Sequence, residues 1–125
     1  MDQAIAQVHD RFKVFTGTPG NGELGPLAGQ VEQFVRDNRV AAKSIGVEFL
    51  ERAQKLVLTL GYREDEPGYE VRLTSRSLGT VDGLDDLSEL EQRMAAVAGE
   101  LHGVLCHELF VTDRDEFVMV FMARV

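Results

Sequence analysis

Two apolar segments near the carboxyl end of the chain constrain its fold more than any other feature. Residues 104–112 and 117–124 are almost continuously apolar, and the polar segment 113–116 separates them. Apolar runs of this length on either side of a polar turn predict a β-hairpin with a longer loop. Because successive side chains of a strand point to opposite faces, both faces of this hairpin need burial. The fold must therefore cover the hairpin on two sides.

Strict alternation along the hairpin predicts two apolar sets. The first set is Val104, Cys106, Phe110, Phe117, Met119 and Phe121, and the second is Leu105, Leu109, Val111, Val118, Val120 and Met122. One helix can cover one set. The other set then needs the N-terminal helices, a second copy of the protein or an apolar ligand, since an uncovered set would expose on the order of several hundred Å². We expect the N-terminal helices to do this, with a homodimer or a protein partner bound through the C-terminal hairpin as the alternative.

The middle of the chain has the period of strands. Three sets of apolar residues alternate with polar or small ones: Ile45, Val47 and Phe49; Leu56, Leu58 and Leu60; Tyr69, Val71 and Leu73. The connections 52–54 and 64–68 are short and polar. Consecutive strands with short connections predict a three-stranded antiparallel meander.

Three segments have the apolar spacing of helices. The first, about residues 2–15, carries Ile5, Val8, Phe12 and Phe15, and the second covers about 27–38. The third, about 86–101, begins with the capping-box spacing of Asp86 and Glu89. The predicted fold class is therefore α+β: a two-layer domain with a five-stranded, mainly antiparallel sheet (meander plus C-terminal hairpin) and about three helices. At 125 residues we expect one domain, 1–125, with an N-terminal helical segment, about 2–38, before the sheet.

The charge of the chain argues against nucleic acid as a partner. The formal net charge is -8, and the basic residues occur as pairs such as Arg36 with Arg39 and Arg72 with Arg76, each close to acidic residues. A negative field repels phosphate backbones and anionic lipids. We therefore expect no nucleic-acid binding and no membrane binding.

The N-terminus and the cysteine content predict a cytoplasmic protein. The chain opens with Met1-Asp2-Gln3-Ala4, which has neither the basic start nor the apolar run of a secretory signal. Cys106 is the only cysteine, so no disulfide can form within one chain. Both features are typical of a reducing compartment.

The glycine-rich segment 16–26 contains a match to a nucleotide-binding pattern. Residues 20–25 read G-x-G-x-x-G. That pattern binds a pyrophosphate only after a strand and at the start of a helix within a βαβ unit. Here a predicted helix precedes it, and Glu23 would direct a negative charge at the phosphates. We interpret the segment as an interhelical loop and predict no cofactor.

One cluster of metal-ligating residue types occurs in the chain. It consists of His102, Cys106 and His107, with Glu108 adjoining. Cys106 and His107 are neighbours on a predicted strand, so their side chains point to opposite faces. The same divergence prevents them from acting as a nucleophile and its base. We predict no metal site and no catalytic residue, and expect Cys106 to be buried and unreactive.

Arginines of the third predicted strand are a candidate anion site. Arg72 and Arg76 are four residues apart and share a face, but we expect Glu48 and Glu70 to pair with them in a cross-strand ladder. The sequence thus predicts a small non-catalytic binding, regulatory or protein-interaction domain. The alternative is an enzyme or small-ligand carrier with a pocket between the N-terminal helices and the sheet.

Overall fold

The structure is a computed structural model that describes residues 10–18, 24–80, 82 and 87–125. These residues contain eight elements in the order β1 (Arg11–Gly17), α1 (Leu27–Asn38), β2 (Ala41–Leu50), β3 (Lys55–Arg63), β4 (Val71–Thr80), α2 (Leu87–Gly99), β5 (Val104–Val111) and β6 (Glu116–Arg124). All strand pairs are antiparallel. The α+β class is therefore confirmed, with six strands and two helices in the described residues instead of five strands and three helices.

The strands form two sheets and not the single predicted one. The strand order is β1-β3-β2 in the first sheet and β4-β6-β5 in the second. The hairpins β2–β3 and β5–β6 are confirmed, but the predicted meander is wrong because β4 pairs with β6 and not with β3. Residues between β3 and β4 lie against the start of β2, where the Tyr69 hydroxyl donates a hydrogen bond to the Ala42 carbonyl oxygen at 2.7 Å.

The predicted first helix is wrong where the structure describes it. Residues 1–9 lie outside the described residues, whereas Arg11–Gly17 form strand β1, paired from Arg11 opposite Tyr62 to Gly17 opposite Leu56. Phe12 and Phe15 have helical spacing, but Phe12 and Val14 also alternate with Lys13 and Phe15. Pairing with the free edge of β3 satisfies the backbone and buries Phe15, so tertiary contact overrides local spacing.

Helix α1 matches its predicted bounds and lies over the main core. It begins after Pro26 and ends at Asn38, with Arg39 as the C-cap, and it buries Leu27, Val31 and Val35. These side chains join one apolar cluster with residues of both sheets, including Phe15, Ile45, Val47, Leu56, Leu58, Leu60, Val71, Leu73, Phe110, Val118, Val120 and Met122. The helix and the two sheets thus share one core.

Helix α2 covers the opposite face of the second sheet. Leu90 forms a second buried cluster with Leu78, Met119 and Phe121, and Met94, Val97 and Leu101 pack against it. The third predicted helix is confirmed, although its cap residue Asp86 lies outside the described residues. Neither described helix is long and apolar enough to cross a membrane.

The predicted division of the hairpin faces is wrong for Cys106, Leu109 and Phe110. Cys106 packs against the main core, and Leu109 packs against the cluster that contains Met119 and Phe121. Phe110 is opposite Val118 in the β5–β6 register, and it lies with Val118 in the main core instead of with Met119 and Phe121. Residues directly opposite each other share a face, and the register shifts between Val104 and Cys106. Both faces of β6 are buried within one chain, whereas Val104, Leu105 and Val111 of β5 are exposed.

Candidate functional site

The predicted histidine and cysteine cluster does not converge. Cys106 is half-buried against the main core, whereas the His107 ring packs edge-on to Phe121 in the second cluster, with centroids 6.2 Å apart. Burial is the main cause that raises the pKa of the Cys106 thiol, and a hydrogen bond with the Ile45 backbone opposes it. In the part of the chain that the structure describes, no three His, Cys, Asp or Glu side chains are grouped to hold a metal ion.

The other candidates of the sequence fall outside the described residues or pair differently. Residues 19–23, which contain most of the glycine-rich pattern, lie outside them. The segment follows strand β1 and precedes α1, so the interpretation as an interhelical loop is wrong. The predicted ladder is wrong in its partners: Glu70 pairs with Arg36 of α1 at 3.0 Å, and Arg76 lies 3.9 Å from Glu100. Since β4 belongs to the second sheet, Glu48 of β2 is not its neighbour.

Strand β1 presents an exposed apolar surface. Phe12 is 66% exposed and Val14 55%, and they lie opposite Gly61 and Thr59 of β3. The ring of Phe12 lies over Gly61, where a Cβ atom would be 3.5 Å from Phe12 Cε1. We call the outer side of this strand pair the β1 surface; it consists of Phe12, Val14 and Thr16 of β1 and Val57, Thr59 and Gly61 of β3.

A shallow hollow extends the β1 surface across the first sheet. It encloses about 310 Å³ and is lined by Gly46, Val47, Glu48, Val57, Thr59 and Glu108. Two of these residues, Val57 and Thr59, belong to the β1 surface as well. The outer face of the first sheet is thus apolar at β1 and acidic where β2 meets β5.

The outer strand edges of the two sheets are not equally protected. The carboxylate of Glu32 on α1 accepts a hydrogen bond from the Leu73 amide of β4 at 2.8 Å. Strands β2 and β5 lie against each other. Strand β1 pairs with β3 alone, and no described residue hydrogen-bonds its other edge. Unpaired edges are templates for adding a further strand.

A second concave region lies between the end of α1 and the segment before β4. This arginine cleft has a volume of about 340 Å³ and is lined by Val35, Arg36, Arg39, Gly68, Tyr69 and Glu70. Its wall is the Tyr69 ring, which is fixed by the hydroxyl bond to Ala42 and by the Arg124 guanidinium, 4.5 Å from the ring centroid. The backbone of Gly68 packs so closely on Arg39 that a Cβ atom would overlap the Arg39 carbonyl group.

The sequence alone indicated neither the β1 surface nor the arginine cleft. The alternation of Phe12, Val14 and Thr16 with Lys13 and Phe15 was the available signal for β1, and the helical spacing of the phenylalanines concealed it. Arg36 and Arg39 were visible as a basic pair, but nothing in the sequence indicated that Tyr69 would lie beside them. No protein-family model, curated protein or solved structure matches this chain.

Proposed function

We propose that this protein is a small non-catalytic interaction domain that forms a homodimer by pairing strand β1 with β1 of a second copy. The observation that carries the proposal is the combination of a strand edge that no described residue pairs with and the exposed side chains of Phe12 and Val14 on the same strand. Backbone hydrogen bonds along the edge would supply affinity, and the exposed side chains would supply packing.

The residue pattern of β1 suits pairing with itself. In a two-fold antiparallel pair centred on Val14, the Val14 side chains of the two copies are opposite each other, Phe12 lies opposite Thr16, and Lys13 lies opposite Phe15. Arg11 then lies opposite Gly17, so no like charges are directly opposed. The two three-stranded sheets become one six-stranded sheet. A two-fold axis makes each contact occur twice.

The interface is small, and each copy has a formal charge of -8. Contacts below roughly 1,200 Å² of total buried area are typical of weak, transient association. The two negative fields repel each other, and salt screens that repulsion. We therefore expect a weak dimer that becomes tighter as the salt concentration rises.

Sedimentation velocity of the full chain over about a hundredfold range of concentration tests the proposal, since mass action shifts a weak dimer over such a range. Val14→Lys places two cations opposite each other and is expected to give a monomer with an unchanged melting temperature. Leu87→Lys is the matched control, because Leu87 is 73% exposed on α2. A constant monomer mass for the unmodified protein would overturn the proposal.

The same experiment distinguishes β1 from the hairpin predicted by sequence. Val104, Leu105 and Val111 are the large apolar side chains of β5 that are exposed. If Leu105→Lys dissociates the dimer and Val14→Lys does not, the hairpin is the interface and the assignment to β1 is wrong.

The alternative function is an enzyme or small-ligand carrier with a pocket between α1 and a sheet. The arginine cleft is the observation that favours it, since it lies at the end of α1 and against Tyr69, just before β4. The side chains that the sequence analysis considered for catalysis or metal binding, His102, Cys106 and His107, lie elsewhere, on β5 and near its start. The cleft therefore favours binding over catalysis.

A further inference from the structure

The arginine cleft has a surplus of positive charge in an acidic protein. Arg36 donates to Glu70 at 3.0 Å, so these two charges offset each other. The Arg39 guanidinium has no hydrogen-bond or ion-pair partner among the described residues. The lining thus holds two cations and one anion, whereas the whole chain has a net charge of -8.

The backbone of Arg39 is in a conformation that favours another residue type. Arg39 follows α1 with φ 53° and ψ 46°, the left-handed region in which glycine and asparagine are preferred at a helix end. Holding a long side chain there costs about 1 kcal/mol. The close approach of Gly68 fixes this backbone. Arg39 belongs to the lining of the cleft, and strain of this kind is a reason to look for function.

The rest of the cleft is mainly apolar. Val35 is buried in the main core and forms the floor. The Tyr69 ring forms a flat wall, since its hydroxyl is bound to Ala42 and the Arg124 guanidinium lies over the ring. A volume of about 340 Å³ is at the small end of ligand pockets. Such a cleft suits one ring-sized group that lies against Tyr69.

We infer that the arginine cleft binds a small aromatic or flat apolar monocarboxylate, with its carboxylate on Arg39 and its apolar body against Tyr69 and Val35. The planar guanidinium matches a carboxylate through two parallel hydrogen bonds. Glu70 lies beside Arg36 and repels a second negative charge, so a monoanion is favoured over a dianion such as phosphate. This site is independent of strand β1 and of dimer formation.

Titration of the isotope-labelled full chain with benzoate, followed by amide chemical shifts, tests the inference. We expect saturable shifts at Gly68, Tyr69 and Arg39. Arg39→Gly should weaken binding by about tenfold or more, the loss expected for one charged hydrogen-bonding partner. Glycine prefers the left-handed conformation, so this variant should melt no lower than the unmodified protein. Arg52→Gln, in the turn at the far end of the first sheet, is the charge-matched control and should bind benzoate normally.

Two further probes test the role of the ligand's charge. Benzamide has the same ring without the charge and should bind about tenfold more weakly or not at all, and inorganic phosphate should bind more weakly than benzoate. Equal binding of benzoate by Arg39→Gly and the unmodified protein would overturn the assignment to Arg39. Equal binding of benzamide would show that the carboxylate is not recognised. Tighter binding of phosphate would contradict the preference for a monoanion. If benzoate causes no saturable shift, the arginine cleft is not a binding site for such carboxylates.

Discussion

The carboxylate of Glu32 accepts a hydrogen bond from the amide N–H of Leu73, with 2.8 Å between Oε2 and the nitrogen. Glu32 belongs to α1, and Leu73 lies on β4, whose ladder partner is β6. The helix therefore covers one backbone donor on the outer edge of the second sheet with a side chain. Proteins protect exposed edges in this way against pairing with other chains. Strand β1, which has no such cover in the described residues, is the contrast on which the proposed dimer depends.

Replacing Glu32 should expose the edge of β4. We expect Glu32→Ala to lower the free energy of unfolding by about 1 to 3 kcal/mol, since it removes a charged acceptor from a partly buried amide. Hydrogen exchange of the Leu73 amide should become faster. Glu32→Gln keeps an acceptor oxygen and should have a smaller effect on both quantities. Unchanged Leu73 exchange in Glu32→Ala would show that the bond does not protect this edge.

Two glycines should respond in opposite directions to the same substitution. At Gly68 an added Cβ would overlap the Arg39 carbonyl group, so Gly68→Ala should destabilise the fold by about 1 to 3 kcal/mol through displaced backbone. At Gly29, within α1, nothing lies within 4 Å of an added Cβ. Gly29→Ala should stabilise the fold by about 0.5 to 1 kcal/mol because alanine loses less backbone entropy in a helix. Urea unfolding of both variants measures this, and a neutral Gly68→Ala would contradict the close contact.

Cys106 should react slowly with thiol reagents in the native state. Burial raises the pKa of its thiol, the charge of Glu108 raises it further, and a hydrogen bond with the Ile45 backbone lowers it. The thiolate is the reactive form, so labelling at about pH 8 should be much slower than in the unfolded chain. Leu87→Cys in a Cys106→Ser background is the control. This exposed cysteine should label rapidly. Equal rates at the two positions would refute the burial of Cys106.

The raised pKa of the Cys106 thiol determines how its contribution to stability changes with pH. The folded state favours the protonated thiol, so this contribution to the free energy of unfolding is fully present below the pKa of the unfolded thiol. It is lost as the pH rises through the higher pKa of the folded state.

Glu66 should make the fold sensitive to acid. Its carboxylate lies 2.5 Å from Lys43 Nζ and 2.9 Å from Arg63 Nη1, and these two hydrogen bonds, Lys43 first, lower its pKa. A lowered pKa stabilises the fold above the unfolded pKa, and this is lost as the pH falls through the folded value. The melting temperature of Glu66→Gln should therefore fall less between about pH 5 and pH 3 than that of the unmodified protein.

A matched control separates this effect from the general effect of removing one negative charge. Glu91→Gln removes an exposed carboxylate of α2 that has no ion-pair partner in the described residues, and it should keep the pH profile of the unmodified protein. If Glu66→Gln and Glu91→Gln give the same profile, the Lys43–Glu66–Arg63 group does not determine the acid response. High salt should reduce the difference, because these side chains are partly exposed.

Strand β4 illustrates how far periodicity can be used. The alternation of Tyr69, Val71 and Leu73 predicted an extended segment, and residues 71–80 do form a strand. Short connections also predicted that it would continue the β2–β3 hairpin. Pairing with β6 instead places Val71 and Leu73 in the core beneath α1 and covers one backbone donor on the other edge with Glu32. Periodicity specifies which face of a strand is apolar, but it contains no information about the neighbouring strand.

Local patterns in the sequence were sufficient for helix α1, helix α2 and the two hairpins, because their apolar periods and turn residues act over a few positions. The tertiary structure decided the rest. It made Phe12 to Phe15 part of a strand, since the edge of β3 offered hydrogen bonds and burial for Phe15 that an isolated helical turn lacks. It also brought Tyr69 beside Arg39, and thus created the arginine cleft, through the close packing of Gly68 on the end of α1. Contacts between residues far apart in sequence have no local signal, so both candidate sites depend on the fold.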